Sequence, residues 1–333
     1  MTSGVEADDS GPGRNLSAVL GGTAVTAKLR SLGIVIPFTI LFVVLSLTSE
    51  SFFTKANLLN ILDQQSATLI IAAAGTLVLV AGGIDLSVGA IYGFAGVTAA
   101  HFALQTDPVV AILLGIGAGL LIGVANGIVT TVFGINALIA TLAMSFIVSG
   151  CSALVTKGNL LVLFEEESFS KLARTEFFGV NSSIWLMALA VILLGLLLAT
   201  TTAGRYMYAA GGNAEAARLA GVRVNGVRLL TFALSGTAAG LAGVIDTSRV
   251  LSAQASPNDT ALAFTVLAGI VVGGTSILGG EGAVWRTVFG VLFIALVGNG
   301  YLLLQFDPLY EQITMGALLL AAVGLDTLSR RRR

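Results

Sequence analysis

The hydrophobic and polar positions of this chain alternate on the scale of whole helices. Long apolar runs are separated by short polar segments, and most runs approach the ~20 residues that a helix needs to cross the apolar core of a bilayer. The runs cover residues 31–48, 66–83, 88–105, 109–132, 137–155, 183–202, 228–247, 261–278, 286–304 and 309–327. This pattern predicts an all-α, polytopic membrane protein with about ten transmembrane helices.

The count of ten depends on one interruption, the segment AGGIDLSVGA. We predict a helix break there; one continuous helix would reduce the count to nine. The residues of this break are Gly82, Gly83, Asp85, Ser87 and Gly89. The first two glycines would end the incoming helix, and Asp85 or Ser87 would cap the outgoing one at the cytoplasmic face. Because broken helices at membrane depth face protein or a cavity, the alternative is that this segment lines the inner gate of a transport path.

Basic residues orient the helices. Cytoplasmic loops carry an excess of Lys and Arg, and here KLR precedes the first run and RRRR follows the last one. With ten helices and both termini cytoplasmic, twelve of the 17 Lys and Arg residues lie inside, whereas the reverse orientation leaves five inside. We therefore predict that both termini are cytoplasmic. In this orientation the loop 156–182 is external and the loop 203–228 is cytoplasmic.

Composition supports a membrane protein and gives no sign of an enzyme. Hydrophobic residues make up 56% and charged residues 11% of the 333 positions, with a mean hydropathy of +0.94, whereas a water-soluble domain carries about 25% charged residues. The single cysteine excludes an internal disulfide framework. The only histidine, His101, has no neighbours for a metal site or a catalytic dyad. We therefore predict neither catalytic residues nor a bound metal.

We expect one membrane domain between two short tails. Residues 1–27 are small and polar with mixed charge, which predicts a disordered cytosolic tail. The transmembrane domain covers residues 28–328, and residues 329–333 form a basic cytoplasmic tail. In the external loop, the run EEES and the nearby Lys171 and Arg174 are either simply solvated or complementary to a docked protein.

The cytoplasmic loop contains the segment GGNAEAARLAGVRV. It opens with Gly211, Gly212 and Asn213, which signal a turn or cap, continues with helix formers at 214–220, and stops at Gly221. The pattern predicts a helix of about two turns, which is too short to be stable without packing. It is either a connector between two membrane helices or a helix that docks into a groove on a cytoplasmic partner.

This loop also carries a resemblance to a known family. EAARLAG (Glu215–Gly221) fits the EAA-x3-G pattern of importer permeases of the ATP-binding-cassette class, and GRYMYAAGGNAEAARLAGVRV resembles the coupling loop of their ribose-type branch. GGIDLSVGA (82–90) and GGTSILGGEGAVW (273–285) match that branch too, in the same order. The I-x-LP extension of other importer branches is absent after Gly221, as is usual in the ribose-type branch.

The resemblance implies a fold and a set of partners. The fold would be that of a type II importer permease, similar to the vitamin B12 importer, in the bacterial cytoplasmic membrane. The partners would be ATP-binding-cassette ATPase subunits, a second permease subunit in a homodimer or pseudo-dimer, an external solute-binding protein and the lipid membrane, with no nucleic acid. The residues that couple to the ATPase would be Gly212, Asn213, Glu215, Ala216, Ala217, Arg218 and Gly221.

No G-x4-GK-[ST] phosphate loop occurs in the sequence. If ATP drives this protein, ATP and its Mg²⁺ must therefore bind to the partner ATPase, and we expect no cofactor in this chain. The glycine-rich segment 273–285 is either a tight cytoplasmic hairpin or a second contact to that ATPase through Glu281 and Arg286.

Polar side chains within the apolar runs are further candidates for function. A translocation path for a sugar-like solute needs hydrogen-bond partners, and the candidates for it are Asn126, Asn136, Thr141, Ser145 and Asn299. The alternative for each is a bond to a neighbouring helix. Glycines recur every four residues at Gly115, Gly119, Gly123 and Gly127, which predicts a helix-packing face within the subunit.

Three functions fit these observations. The first is the permease subunit of an ATP-driven importer that moves a small polar solute, with a monosaccharide as the leading candidate, by alternating access. The second is an ion-coupled secondary transporter that binds a proton or Na⁺ at Asp85. The third is an intramembrane hydrolase, for which His101 is poorly placed. We favour the importer because three long motifs occur in the right order.

Overall fold

The computed structural model describes residues 33–164, 166–255, 259–307, 309–310, 313–314, 316–318, 320–321 and 324. The predicted tails at 1–27 and 329–333 lie outside the described residues, as does Glu165 of the EEES run.

Helices make up most of the described chain. They are α1 (Val35–Thr48), α2 (Lys55–Gln64), α3 (Ser66–Val80), α4 (Val88–Ala103), α5 (Pro108–Thr131), α6 (Ala137–Thr156), α7 (Glu167–Arg174), α8 (Ser182–Thr200), α9 (Thr202–Gly212), α10 (Ala214–Leu219), α11 (Val224–Val250), α12 (Asp259–Val272) and α13 (Val284–Leu303). The all-α prediction omitted two small antiparallel strand pairs in the loops. They are β1 (Leu161–Val162) with β4 (Ser252–Ala253), and β2 (Glu176–Phe177) with β3 (Val180–Asn181).

Among the described helices, α5, α6, α8, α11 and α13 are long and apolar enough to cross a membrane. The pair α2 and α3 also qualifies as one span, bent by 50° at its break, while α1, α4 and α12 are apolar but shorter. These helices coincide with nine of the ten predicted runs, and the described positions of the tenth run, 309–327, are helical too. The structure thus confirms a polytopic helical protein. It adds α2, α7 and α9, which the pattern does not predict because their segments mix polar and apolar residues.

Connecting segments gather at two ends of the helical body. One end carries α9, α10 and the loop 273–283, and we call it the α10 end. There the amide of Gly280 donates a hydrogen bond to the carbonyl of Val80 at 2.9 Å. The other end carries α7 and the strands, and we call it the α7 end. There the Ser248 hydroxyl of α11 donates to the carbonyl of Phe169 in α7 at 2.7 Å.

The long helix α11 lies in the core and packs against α3, α4 and α5. A Cβ added at Gly119 or Gly123 of α5 would lie 2.4 Å from a backbone carbonyl oxygen of α11. The two helix backbones are therefore in direct contact, which only glycine permits at these positions. The predicted glycine face is confirmed as a packing contact within the subunit.

The segment between α3 and α4 is non-helical and runs alongside α11. Arg228 of α11 donates to the carbonyl of Ala81, and Ser235 donates to Asp85. Ser235 is the twelfth residue of α11, so Asp85 lies about 16 Å along the bundle from the first residue of that helix, at 1.5 Å per residue. The predicted helix break is present, since α3 ends at Val80 and α4 begins at Val88. Asp85 lies in this break inside the bundle, because the chain enters the bundle in extended form before α4 begins; its place relative to the cytoplasmic face stays a prediction.

Candidate functional site

Both ends of α10 are closed by local hydrogen bonds. The Asn213 side-chain oxygen accepts the N–H groups of Glu215 and Ala216 at 3.1 and 3.0 Å. At the other end Gly221 has a φ of +84°, and the amide of Val222 donates to the carbonyl of Ala217 at 2.9 Å. These hydrogen bonds satisfy terminal backbone N–H and C=O groups that have no partner within the helix itself. The helix is one residue shorter than the predicted 214–220, because Ala220 is its C-cap.

Most of the α10 surface faces away from the protein. Ala217 is its buried residue, whereas Leu219 is 83% exposed. Glu215 and Arg218 form an exposed ion pair at 3.3 Å, which contributes little to stability. The exposed leucine and both charges are therefore available to another molecule.

We expect Asn213→Ala to destabilise α10 by about 1 kcal/mol, the usual value of an N-cap. Amide hydrogens in residues 213–222 should then exchange about fivefold faster. Hydrogen–deuterium exchange of the purified protein measures this, and Asn213→Asp, which keeps the acceptor, is the matched control. Equal exchange in all three proteins would mean that packing, and not the cap, holds the helix.

Three glycine-rich segments meet at the α10 end in a contact that we call the glycine junction (Gly82, Gly211, Gly212, Gly279 and Gly280). A Cβ added at Gly211 would lie 1.9 Å from the Val80 carbonyl oxygen. One at Gly280 would lie 2.7 Å from the Gly212 Cα, and one at Gly279 would lie 3.0 Å from the Gly82 Cα. Backbone thus packs directly on backbone, which needs residues without side chains. The junction joins the three motifs that are far apart in the sequence.

Polar side chains tie neighbouring elements to the glycine junction. The Tyr208 hydroxyl of α9 donates to the carbonyl of Gly282 at 2.7 Å, and Arg228 donates to Ala81 at 3.3 Å. Burial raises the pKa of the Tyr208 phenol, and the charge of Arg286 partly opposes this. The phenol is therefore protonated at neutral pH and remains a hydrogen-bond donor. α9 leads directly into α10, so α10 and the junction are mechanically connected.

Asp85 is the centre of a polar cluster inside the bundle. Its carboxylate accepts the Ser87 amide at 3.0 Å, the Ser87 hydroxyl at 2.6 Å and the Ser235 hydroxyl at 2.8 Å. Asn126 of α5 donates to the Ser87 hydroxyl at 2.7 Å, and the Leu86 amide donates to Thr141 of α6 at 3.0 Å. The Ser87 side chain caps no helix N–H group, so that part of the capping prediction is wrong. The carboxylate instead holds the extended segment in shape.

Comparison with known proteins identifies the family. Residues 57–323 match the family described as branched-chain amino acid transport system / permease component. The chain belongs to this family. The ribose import permease protein RbsC of Escherichia coli K12 is 34% identical over 295 residues, which cover 87% of this chain and 92% of that protein. RbsC of Bacillus subtilis 168 is 36% identical over 300 residues (90% and 93%), and the L-arabinose transport system permease protein AraH of E. coli K12 is 36% identical over 305 residues (90% and 92%).

This permease is a transport component and not an enzyme. The described residues contain no group of three or more His, Cys, Asp or Glu side chains that could hold a metal ion. His101 contacts Gln105, in the turn that follows its own helix, at 3.0 Å.

The structure brings together only part of the candidate translocation path of the permease. Asn126 and Thr141 are buried in the Asp85 cluster, and Asn126 Oδ1 has no hydrogen-bond partner among the described residues. Asn136 caps α6 and lines a cavity of about 570 Å³ at the α10 end, beside Gly82, Gly83 and Arg228. Ser145 is buried and bonds within α6.

Asn299 lies apart from the other path candidates. It exchanges hydrogen bonds of 3.0 and 3.2 Å with Asn57 of α2. The Asn299 side-chain amide thus bonds to a neighbouring helix, which is the alternative to a role in the translocation path.

Sequence reasoning missed one polar group of the permease. Tyr92 of α4 donates a hydrogen bond to Asp246 of α11, which also accepts one from Arg249 at 3.1 Å. Asp246 interrupts the apolar run 228–247, and this was the signal that could have found it.

Proposed function

We propose that the chain is the membrane-embedded permease subunit of an ATP-driven monosaccharide importer in the bacterial cytoplasmic membrane. The observation that carries this proposal is α10, a capped helix with most of its surface exposed, attached to the glycine junction. A transporter driven by a partner ATPase needs such an element, because force must enter through a protruding, locally stable contact. The named sugar permease relatives, which align over most of this chain, support the same function.

The proposed topology has ten spans with both termini in the cytoplasm. The spans are the ten helical regions, with α2 and α3 counted as one and the region 309–327 as the last. Three spans contain short helices, and α4 is extended by the non-helical segment 81–87. The excess of basic residues on one side supports placing the α10 end inside and the α7 end outside.

The proposed assembly contains two permease subunits and two ATPase domains, with ATP and Mg²⁺ bound by the ATPases. Its architecture would be that of type II importers. Exposed apolar side chains on α5, α6 and α8 support burial against lipid or a second subunit; examples are Leu121, Phe146 and Leu193. We further propose that the external loop 156–182 receives a solute-binding protein.

Coupling would run from α10 through the glycine junction to the extended segment around Asp85. Closure of the ATPases would displace α10 together with α9, whose backbone contacts Val80 and the loop 273–283. That loop brings Glu281 close to the start of α10 for a second contact. Because junction contacts are backbone to backbone, they would transmit small displacements. The segment 81–87 and the cavity beside Asn136 would then open or close the inner gate.

The uncharged polar groups of the interior suit a neutral sugar. Asn126, Thr141, Ser145 and Ser235 place hydroxyl and amide groups inside the bundle, and such groups can both donate to and accept from a polyol. The Asp85 carboxylate already accepts three hydrogen bonds, which argues against the ion-coupled alternative at this residue. The relatives named for ribose and L-arabinose make pentoses the first substrates to test.

The test is sugar-stimulated ATP hydrolysis and ATP-dependent uptake of D-ribose and L-arabinose in liposomes that contain the permease, its ATPase and its binding protein. We expect Glu215→Arg to reduce uptake at least tenfold, because it reverses an exposed charge on α10 without disturbing the fold. Glu50→Arg, an exposed charge reversal outside the proposed contacts, should leave uptake within about twofold of wild type. Full uptake by Glu215→Arg, or wild-type uptake without ATP, would contradict the proposal.

A further inference from the structure

We infer that a cavity at the α7 end is a receiving site for the transported sugar. The cavity has a volume of about 250 Å³ and is bounded by α4, α11 and the β1–β4 segments. Its polar lining consists of Tyr92, Asp246, Thr247, Ser252 and Gln254. The inference rests on the proposed function and adds a binding site to it.

The chemistry of the lining suits a neutral sugar. Hydroxyl, amide and carboxylate groups supply both donors and acceptors, as a polyol requires. Asp246 is held by hydrogen bonds from Tyr92 and Arg249, so its carboxylate is fixed in position before any ligand arrives. A carboxylate has about four lone-pair sites, and these bonds leave capacity for a sugar hydroxyl. An ionisable pair toward the end of a membrane helix is costly to bury and commonly marks a functional site.

The size of the cavity fits a small ligand. Sites for drug-sized molecules measure ~300–1,000 Å³, and a pentose, with about ten non-hydrogen atoms, is smaller than such molecules. Gly93, Gly96 and Gly243 contribute backbone to the wall. A Cβ added at Gly243 would lie 2.1 Å from the Tyr92 carbonyl oxygen, so α4 and α11 are in close contact along this wall.

The position of the cavity matches delivery from outside. Residues next to Asp246 hold the external helix α7: Ser248 bonds to both Phe169 and Ala173, and Arg174 donates to the Arg249 carbonyl at 2.8 Å. A binding protein on the loop 156–182 would therefore release its sugar beside this cavity. The Asp85 cluster lies further along α11 toward the α10 end, where the sugar would arrive later.

The test is equilibrium binding of radiolabelled D-ribose and L-arabinose to the complete permease–ATPase complex in nanodiscs, with the binding protein omitted. Leu160 lines the cavity and is 52% exposed, so Leu160→Trp should fill the cavity from its edge. We expect the affinity for the sugar to fall at least tenfold. Leu154→Trp, at a position that is 80% exposed and does not line the cavity, is the matched control and should bind like wild type.

A second variant tests the chemistry without adding bulk. Gln254→Ala removes one exposed amide from the lining and should weaken binding severalfold, the value of one hydrogen bond. Wild-type affinity in both Leu160→Trp and Gln254→Ala would overturn the inference, as would a wild-type complex that transports sugar but binds none without its partner. Absence of ATP-driven uptake by the wild type would instead overturn the proposed function, and the receiving site with it.

Discussion

Gly211→Ala is expected to reduce transport at least tenfold, although it adds a single methyl group. The new Cβ would lie 1.9 Å from the Val80 carbonyl oxygen and 2.8 Å from the Gly280 amide nitrogen. These are backbone atoms that hydrogen-bond to each other, so no side chain can rotate away to make room. Overpacking typically costs ~1–3 kcal/mol, and here the strain falls on the contact between α9, α3 and the loop 273–283. Uptake in liposomes and the thermal stability of the purified complex measure the effect.

Gly226→Ala is the matched control at the same end of the molecule. It lies in the first turn of α11, is exposed, and its added Cβ would approach nothing closer than 3.9 Å. Alanine is also the better helix former, so uptake and stability should equal or slightly exceed those of wild type. Similar behaviour of Gly211→Ala and Gly226→Ala would show that the glycine junction tolerates separation and does not couple the motifs tightly.

Asp85→Leu is expected to prevent most of the protein from folding, whereas Asp85→Asn should retain much of it. Leucine leaves the Ser87 amide, the Ser87 hydroxyl and the Ser235 hydroxyl without their acceptor. An unsatisfied buried donor costs ~1–3 kcal/mol, and several of them approach the whole stability of a typical protein, ~5–15 kcal/mol. Asparagine keeps an acceptor oxygen for the amide, and its NH₂ group can donate to a serine hydroxyl.

The yield of monodisperse protein and its melting temperature distinguish these variants. Ser235→Ala removes one donor and leaves the carboxylate otherwise paired, so its effect should be the smallest of the three. Equal yield and uptake for Asp85→Asn and Asp85→Leu would contradict the role of the carboxylate in holding the extended segment. A folded Asp85→Asn protein without uptake would add a role in the inner gate to the structural one.

The class of the protein and the positions of its long apolar helices follow from the sequence alone. Apolar runs of membrane length are a local property, since each must satisfy its own backbone groups in lipid. Nine of the ten runs therefore coincide with helices, and the described positions of the tenth are helical. The α10 helix is equally predictable from the sequence, because Asn213 and Gly221 are local cap signals. The glycines at every fourth position of α5 also predict a packing face, because this repeat lies within a single helix.

The contacts between these elements depend on the tertiary structure. The sequence indicates a separate turn or break around each of Gly82, Gly211 and Gly280, and only the fold brings their backbones together. The sequence predicts the helix break around Asp85, but a sequence pattern cannot tell a surface turn from an extended segment inside the bundle. The hydrogen bond between Tyr92 and Asp246 could not be predicted from the sequence either. Side chains more than a hundred residues apart meet through helix packing, which depends on the shapes of both partners and not on either pattern alone.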